Sequence, residues 1–302
     1  RALADYFVLA EQQVFVGNGS DEILAFAFQA FFNSHDPAGF APDPSACIVF
    51  PDITYSFYPV YARMYDVPCR TVPLDSRFRI VPEDLKAPSA GIVLANPNAP
   101  TGIAVGLDVL EELAGSDPNR LLLIDEAYVD FGAESAVPLL ARHDNILIVQ
   151  TLSKSRALAG LRVGFALGSP SLIEALERVR DSFNSYTLDS LAQAAAIAAL
   201  GSAEWFESTR ARIMATREKS VNALLKLGFD VLPSDANFIF ACHRAFTGEI
   251  LYRALRQKSI LVRHFKLPRI EDYVRITIGS EEDMDTLAEA LSNIIAGSGR
   301  SS

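Results

Sequence analysis

Ile146-Leu147-Ile148-Val149-Gln150-Thr151-Leu152-Ser153-Lys154 is a β-rich apolar run that ends in hydroxyls and an amine. An unbroken block of branched apolar residues suits a strand buried on both faces, as in a parallel sheet covered by helices. Short runs of the same kind stand at residues 47–50, 91–95, 121–124 and 163–167. Helix-like stretches separate several of them, and that alternation predicts βαβ units around a mainly parallel central sheet flanked by helices. Ligands of such sheets bind beyond the carboxyl ends of the strands. The polar segments stand there: NPNAPTG follows 91–95, DEAY follows 121–124 and SKS follows 146–152.

Residues 171–227 read mostly as helix, with an Ala-rich stretch at 191–200 and a long amphipathic one at 204–227. Beyond Gly228 the pattern changes to strand (237–241), helix (247–258), two strands (260–263 and 273–278) and helix (281–295). This predicts a large α/β domain over 1–227 and a smaller α+β domain over 228–302. The final GSGRSS reads as a flexible tail. RALADYF starts as though already inside a helix, so an N-terminal segment is expected to be missing.

Composition narrows the partners. Net charge is -10, with 27 Lys and Arg against 37 Asp and Glu, which excludes the basic footprint that nucleic acid needs. No apolar run reaches the roughly 18 residues of a membrane span; the longest candidate, 23–32, is broken by Gln29. The 3 cysteines, Cys47, Cys69 and Cys242, are too few and scattered for a disulfide framework and suit a reducing compartment, read here as the cytoplasm. The 4 histidines, His35, His143, His243 and His264, show no metal-ligand spacing, so no metal is expected. A small-molecule partner is the expectation.

Lys154 is the one lysine among six that directly follows an apolar strand-like run; the others sit in polar helical stripes or near prolines, as solvated cations do. An amine aimed into a cleft, partly desolvated and beside another cation such as Arg162, falls below its free pKa of about 10.4 and becomes a Schiff-base former. Around it, TLSKSRALAGLRVG brings Thr151, Ser153, Lys154 and Arg162 off one strand and its turn, an aldehyde trap beside a phosphate clamp. In GNGSDEILAF, Gly17 and Gly19 permit a tight turn into a helix whose first amides, at Gly19, Ser20 and Asp21, suit an anion; an ordinary helix start is the plainer alternative. Asp125, at a strand end in LLLIDEAY, needs a cation if buried: a structural ion pair, or a protonated ring nitrogen. A Walker-type magnesium acid is excluded because the chain has no GxxxxGK[ST]. Tyr55, in PDITYSFYP, is either core packing or a plate for a flat heterocycle.

Taken in order, GNGSDE, PDITYSFY, NPNAPTG, DEAYVDF, TLSKSRALAGLRVG and VRITIG resemble the fold-type-I, pyridoxal-phosphate-dependent aminotransferases, most closely the histidinol-phosphate branch. The resemblance runs from about Val16 to Ile278, and SKxxxLAGLRxG is its most specific motif. It implies that Lys154 is the catalytic lysine that binds the cofactor and carries the proton, and that Asp125 holds the pyridine nitrogen. Tyr128 then bonds the phenolic oxygen and Tyr55 covers the ring. Arg162, Thr151, Ser153 and the amides at Gly19, Ser20 and Asp21 hold the phosphate. Arg275 and Arg263 match substrate-facing arginines, a pair able to take carboxylate and phosphate; for Arg263 a surface ion pair is the alternative, and His264 reads as packing.

Two departures stand out. Where relatives carry the asparagine before Pro that contacts the phenolic oxygen, this chain has Ala99, leaving Asn98 or Asn96 as substitutes. The N-terminal arm that closes over the site in relatives cannot be seen. The reaction implied is L-histidinol phosphate plus 2-oxoglutarate to imidazole-acetol phosphate plus L-glutamate, by a soluble homodimer taking an amino donor and a 2-oxo acid. An aromatic amino-acid aminotransferase, a threonine-phosphate decarboxylase-like enzyme and a non-catalytic cofactor-binding sensor remain alternatives.

Overall fold

The computed structural model describes residues 1–32 and 47–298; His35 and the end of the tail lie outside the described residues. Seven strands form one sheet: β1 (Val14–Asn18), β2 (Ile48–Pro51), β3 (Cys69–Val72), β4 (Gly91–Ala95), β5 (Leu121–Asp125), β6 (Ile146–Thr151) and β7 (Val163–Gly168), in the order β1-β7-β6-β5-β4-β2-β3. β3, β2, β4, β5 and β6 run parallel, while β7 is antiparallel to both β6 and β1. The mainly parallel sheet is therefore as expected. β1 and β3 are additions that lie at the two edges.

Helices cover both faces: α1 (Ala2–Phe7), α2 (Ser20–Phe31), α3 (Tyr58–Met64), α4 (Pro82–Leu85), α5 (Leu107–Ser116), α6 (Pro170–Phe183) and α7 (Ser190–Gly201). The strands divide their side chains by alternation. Leu121, Leu123, Leu147 and Val149 pack with α2, α3 and α6 residues such as Leu24, Phe28, Tyr58 and Leu176. Leu122, Ile124, Ile146 and Ile148 pack on the other face with Leu110, Leu113 and Ala192 of α5 and α7. Every residue of β4, β5, β6 and β7 is buried. That explains their unbroken apolar spelling, since each such side chain contributes about 1.5–3 kcal/mol on burial.

The 24-residue α8 (Ala203–Lys226) leads to a second sheet of β8 (Phe229–Val231), β9 (Phe238–His243), β10 (Arg263–His264) and β11 (Tyr273–Thr277), order β10-β11-β9-β8 and fully antiparallel. With α9 (Gly248–Gln257) and α10 (Glu281–Ser298) it encloses its own core, to which α8 contributes Leu224 and, partly buried, Ile213 and Val221. The strand expected over 260–263 is mostly not one: Ile260 N–H bonds Leu255 O at 3.0 Å in the turn after α9, and only Arg263 and His264 join the ladder. No helix among the described residues is long and apolar enough to cross a membrane.

Candidate active site

Strand ends and the first turn of α2 converge on one cleft. Ser20, Asp21, Tyr55, Asp125, Tyr128, Thr151, Ser153, Lys154 and Arg162 line it, together with Ala95, Pro97, Ala99 and Ala127. Residues up to 142 positions apart meet there because β5 and β6 end side by side, with Asp125 paired to Val149, while the β1–β7 ladder sets Gly17 opposite Gly164. Gly164 has to be glycine: a Cβ there would collide with the backbone of Gly19 and Ser20. Gly19 is held at φ +84, and a Cβ on it would strike the Arg162 guanidinium. The α2 N-terminus has no side-chain cap, so its first-turn amides face the cleft unsatisfied by any cap. Arg162 stands beside them, 3.7 Å from the Asp21 carboxylate, and the Thr151 hydroxyl lies 2.9 Å from that of Ser153.

Lys154 differs from expectation in one respect. Its side chain is exposed to the cleft rather than desolvated, because the turn after β6 lifts it off the buried strand into an open mouth. Its amine lies 5.3 Å from the centre of the Tyr128 ring. The expected cation, Arg162, lines the same cleft.

Asp125 is only 6% exposed, and burial pushes its carboxyl up to about 6. The Ala127 amide (3.1 Å) and the Tyr58 hydroxyl (3.1 Å) donate to it and partly offset that cost. Among the described residues it forms no ion pair, so the structural salt bridge weighed above is absent; the carboxylate is placed to receive a cation from the cleft. Tyr58 was missed in the sequence, although it lies three residues after Tyr55 in the same motif; at the start of α3 it points inward, fully buried. Asp21, expected to offer its backbone amide or to favour the helix dipole, also accepts the Tyr55 hydroxyl on its carboxylate at 2.8 Å.

Asn98 has to be withdrawn from the cleft. Its amide donates to Ile53 O (2.9 Å) and Thr101 Oγ1 (3.1 Å), and its oxygen accepts from Thr54 (2.8 Å), which uses the side chain up in bracing the turn. Asn96 is likewise spent on Val105. Ala99 lines the wall in their place, and the Tyr128 hydroxyl is left without a hydrogen-bond partner among the described residues.

The second sheet packs against the Tyr128 edge of the cleft, and neither Arg263 nor Arg275 is among the residues that line it. Tyr128 packs edge-on against Phe238 of β9 (5.0 Å between centres), and the Arg275 guanidinium sits 5.0 Å above that same ring. Arg263 and Arg275 are direct cross-strand partners, and neither forms an ion pair among the described residues. The ion-pair alternative for Arg263 is therefore not realised. Arg275 Nε is buried with no hydrogen-bond partner among the described residues, and burial holds that guanidinium below its usual pKa, with Arg263's like charge acting in the same direction. His264 bonds Glu271 O at 2.8 Å and stacks on Tyr252, which is packing.

The family profile described as "Aminotransferase class I and II" matches residues 1–291, nearly the whole chain. The chain belongs to this aminotransferase family. Histidinol-phosphate aminotransferase 1 of Bradyrhizobium diazoefficiens is 56% identical to it over 97% of this chain and 81% of that protein. The histidinol-phosphate aminotransferase of Gluconacetobacter diazotrophicus is 52% identical over 97% of this chain and 80% of its own length. Among solved structures, the histidinol-phosphate aminotransferase of Sinorhizobium meliloti in complex with pyridoxal-5'-phosphate superimposes with a TM-score of 0.85. That comparison covers 98% of this chain and 80% of the other; at 24% identity it shows the shared fold. The fold of this aminotransferase is thus fold type I, as the six motifs implied.

Proposed function

We propose that this aminotransferase uses pyridoxal phosphate to move an amino group between L-histidinol phosphate and 2-oxoglutarate, giving imidazole-acetol phosphate and L-glutamate. The carrying observation is that a lysine amine and a buried carboxylate with no ion pair among the described residues share one cleft with an uncapped helix start. The cofactor would supply an aldehyde that takes up the substrate amine and an electron-poor ring that stabilises charge on the adjoining carbon. Asp125 is suited to holding the ring nitrogen protonated, since its burial favours a cationic partner. Tyr55 would cover the ring face, and the Tyr128 hydroxyl would take the phenolic oxygen without help from Asn98. Arg162, Thr151, Ser153 and the amides from Gly19 to Asp21 would hold the phosphate. Lys154 Nζ carries the proton to and from the substrate carbon that bears the nitrogen.

Arg275 and Arg263 support a doubly anionic substrate range, because two guanidiniums with no carboxylate among the described residues can take a carboxylate in one half-reaction and a phosphate in the other. The names of the 56% and 52% identical relatives support the same substrate. We further read residues 1–227 and 228–302 as two domains, supported by their separate cores, and the assembly as a cytoplasmic homodimer. Exposed Phe183 (80%), Tyr186 (92%) and Leu191 (79%) on the α6–α7 side favour a second copy. An absorption spectrum before and after borohydride, with Lys154→Ala as control, tests the cofactor: a visible band that borohydride bleaches, leaving the cofactor covalently fixed to Lys154, is expected. A colourless protein at saturating pyridoxal phosphate would refute it. Steady-state rates that favour phenylalanine or tyrosine over histidinol phosphate would replace the substrate.

A further inference from the structure

Lys154 and Asp125 leave adjacent strands, yet the backbone stops joining those strands before either turn begins. The β5–β6 ladder closes with Asp125 opposite Val149, and the last main-chain bond is Glu126 N–H to Val149 O at 2.8 Å. Beyond it, among the described residues, no backbone hydrogen bond links the 127–132 turn to residues 150–156. The spacing of the two turns therefore falls to side chains.

Ser155, next to Lys154 and 4% exposed, donates its hydroxyl to Asp130 Oδ2, five residues beyond Asp125. Asp130 is itself tied down, since its carbonyl accepts from Arg210 of α8 at 3.4 Å. One step back, Gln150 Nε2 donates to Glu126 Oε2 at 2.7 Å, fastening the strand ends themselves. Neither Asp130 nor Ser155 lines the cleft with Lys154. We propose that Asp130, acting through the Ser155 hydroxyl, is the positioning residue that fixes where Lys154 stands relative to Asp125. The inference rests on the aminotransferase reading above. A hydroxyl held by a carboxylate is a strong, directional bond, and Ser155 cannot drift without carrying the Lys154 backbone with it.

The test mixes cofactor-free protein with pyridoxal phosphate and times the appearance of the visible band, alongside kcat and KM, in variants whose melting confirms folding. Ser155→Ala and Asp130→Ala are each expected to slow band formation by about 10- to 100-fold, as misplaced reacting groups do, and to lower kcat with little change in KM. The double variant should be no slower than either single one, because both remove the same bond. Asp130→Asn keeps an acceptor for the hydroxyl and should stay within about 3-fold of wild type. Folded single variants that react as fast as wild type, multiplicative losses in the double variant, or an Asp130→Asn as slow as Asp130→Ala would each overturn the proposal. A wild-type protein that forms no band refutes the aminotransferase reading itself, a result distinct from these.

Discussion

The two sheets that meet at Tyr128 are built on opposite electrostatic plans. On the seven-stranded side, charged groups have internal company: Asp125 receives Tyr58 and an amide, and Arg162 faces Asp21. On the four-stranded side, Arg263 and Arg275 stand paired across the ladder and, among the described residues, have no carboxylate, while Arg275 Nε is buried without a hydrogen-bond partner there. The first side is preorganised and close to neutral in itself. The second stores uncompensated positive charge beside aromatic rings, which suits a ligand that arrives and leaves as an anion. A resident group and a transient one thus call for different surroundings.

The comparison breaks most visibly at Asp125. Asp125→Asn should lower kcat/KM by about 10^2- to 10^3-fold, the scale of losing a buried charge partner. The same change should stabilise the cofactor-free protein. The carboxyl is raised from 3.8 to about 6, so its contribution to stability is full below pH 3.8 and is lost as pH rises through about 6. Melting curves at pH 8 should therefore favour the variant, by up to about 3 kcal/mol if burial alone decides. A variant less stable than wild type at every pH would show that the Tyr58 and Ala127 bonds outweigh burial.

On the four-stranded side the expected losses lie in substrate binding. Arg275→Ala should raise KM for an anionic substrate by about 10^2-fold, while Arg263→Ala, at an exposed position, should cost roughly 10-fold or less, both with cofactor affinity unchanged. Equal losses for phosphorylated and unphosphorylated amines would remove the phosphate from the argument. The smallest effect belongs to Tyr58→Phe: a loss of about 0.5–1.5 kcal/mol in stability and a further rise of the Asp125 pKa, measurable in the pH profile of the visible band.

Legibility in the sequence followed burial. β4 was read to the residue and β5, β6 and β7 to within one, because strands covered on both faces leave an unbroken apolar signature. β1 and β3 escaped because edge strands are half exposed: Val14–Asn18 ends in Gly and Asn, and Cys69–Val72 buries only Val72. β8, three residues long, is too short to signal itself. In the site, Lys154, Asp125, Tyr128 and Arg162 were legible as reactive types at strand ends or the turns that follow them. Asn98 was misplaced because sequence gives proximity to Pro but not which way an amide points; its donors and acceptor were already committed to residues 53, 54 and 101.

The sequence by itself determined the alternation of buried strands and helices, the family through six ordered motifs, and the chemical types gathered at the strand ends, because local pattern and residue chemistry are carried by the chain. Only the tertiary structure decided that Lys154 stands exposed in the cleft, that Tyr58 serves Asp125, and that Arg263 and Arg275 lack a carboxylate among the described residues. It also decided that Ser155 is anchored by Asp130. These are facts of direction and distance between segments far apart in the chain, set by packing and by which hydrogen bonds remain available once the backbone has taken its own.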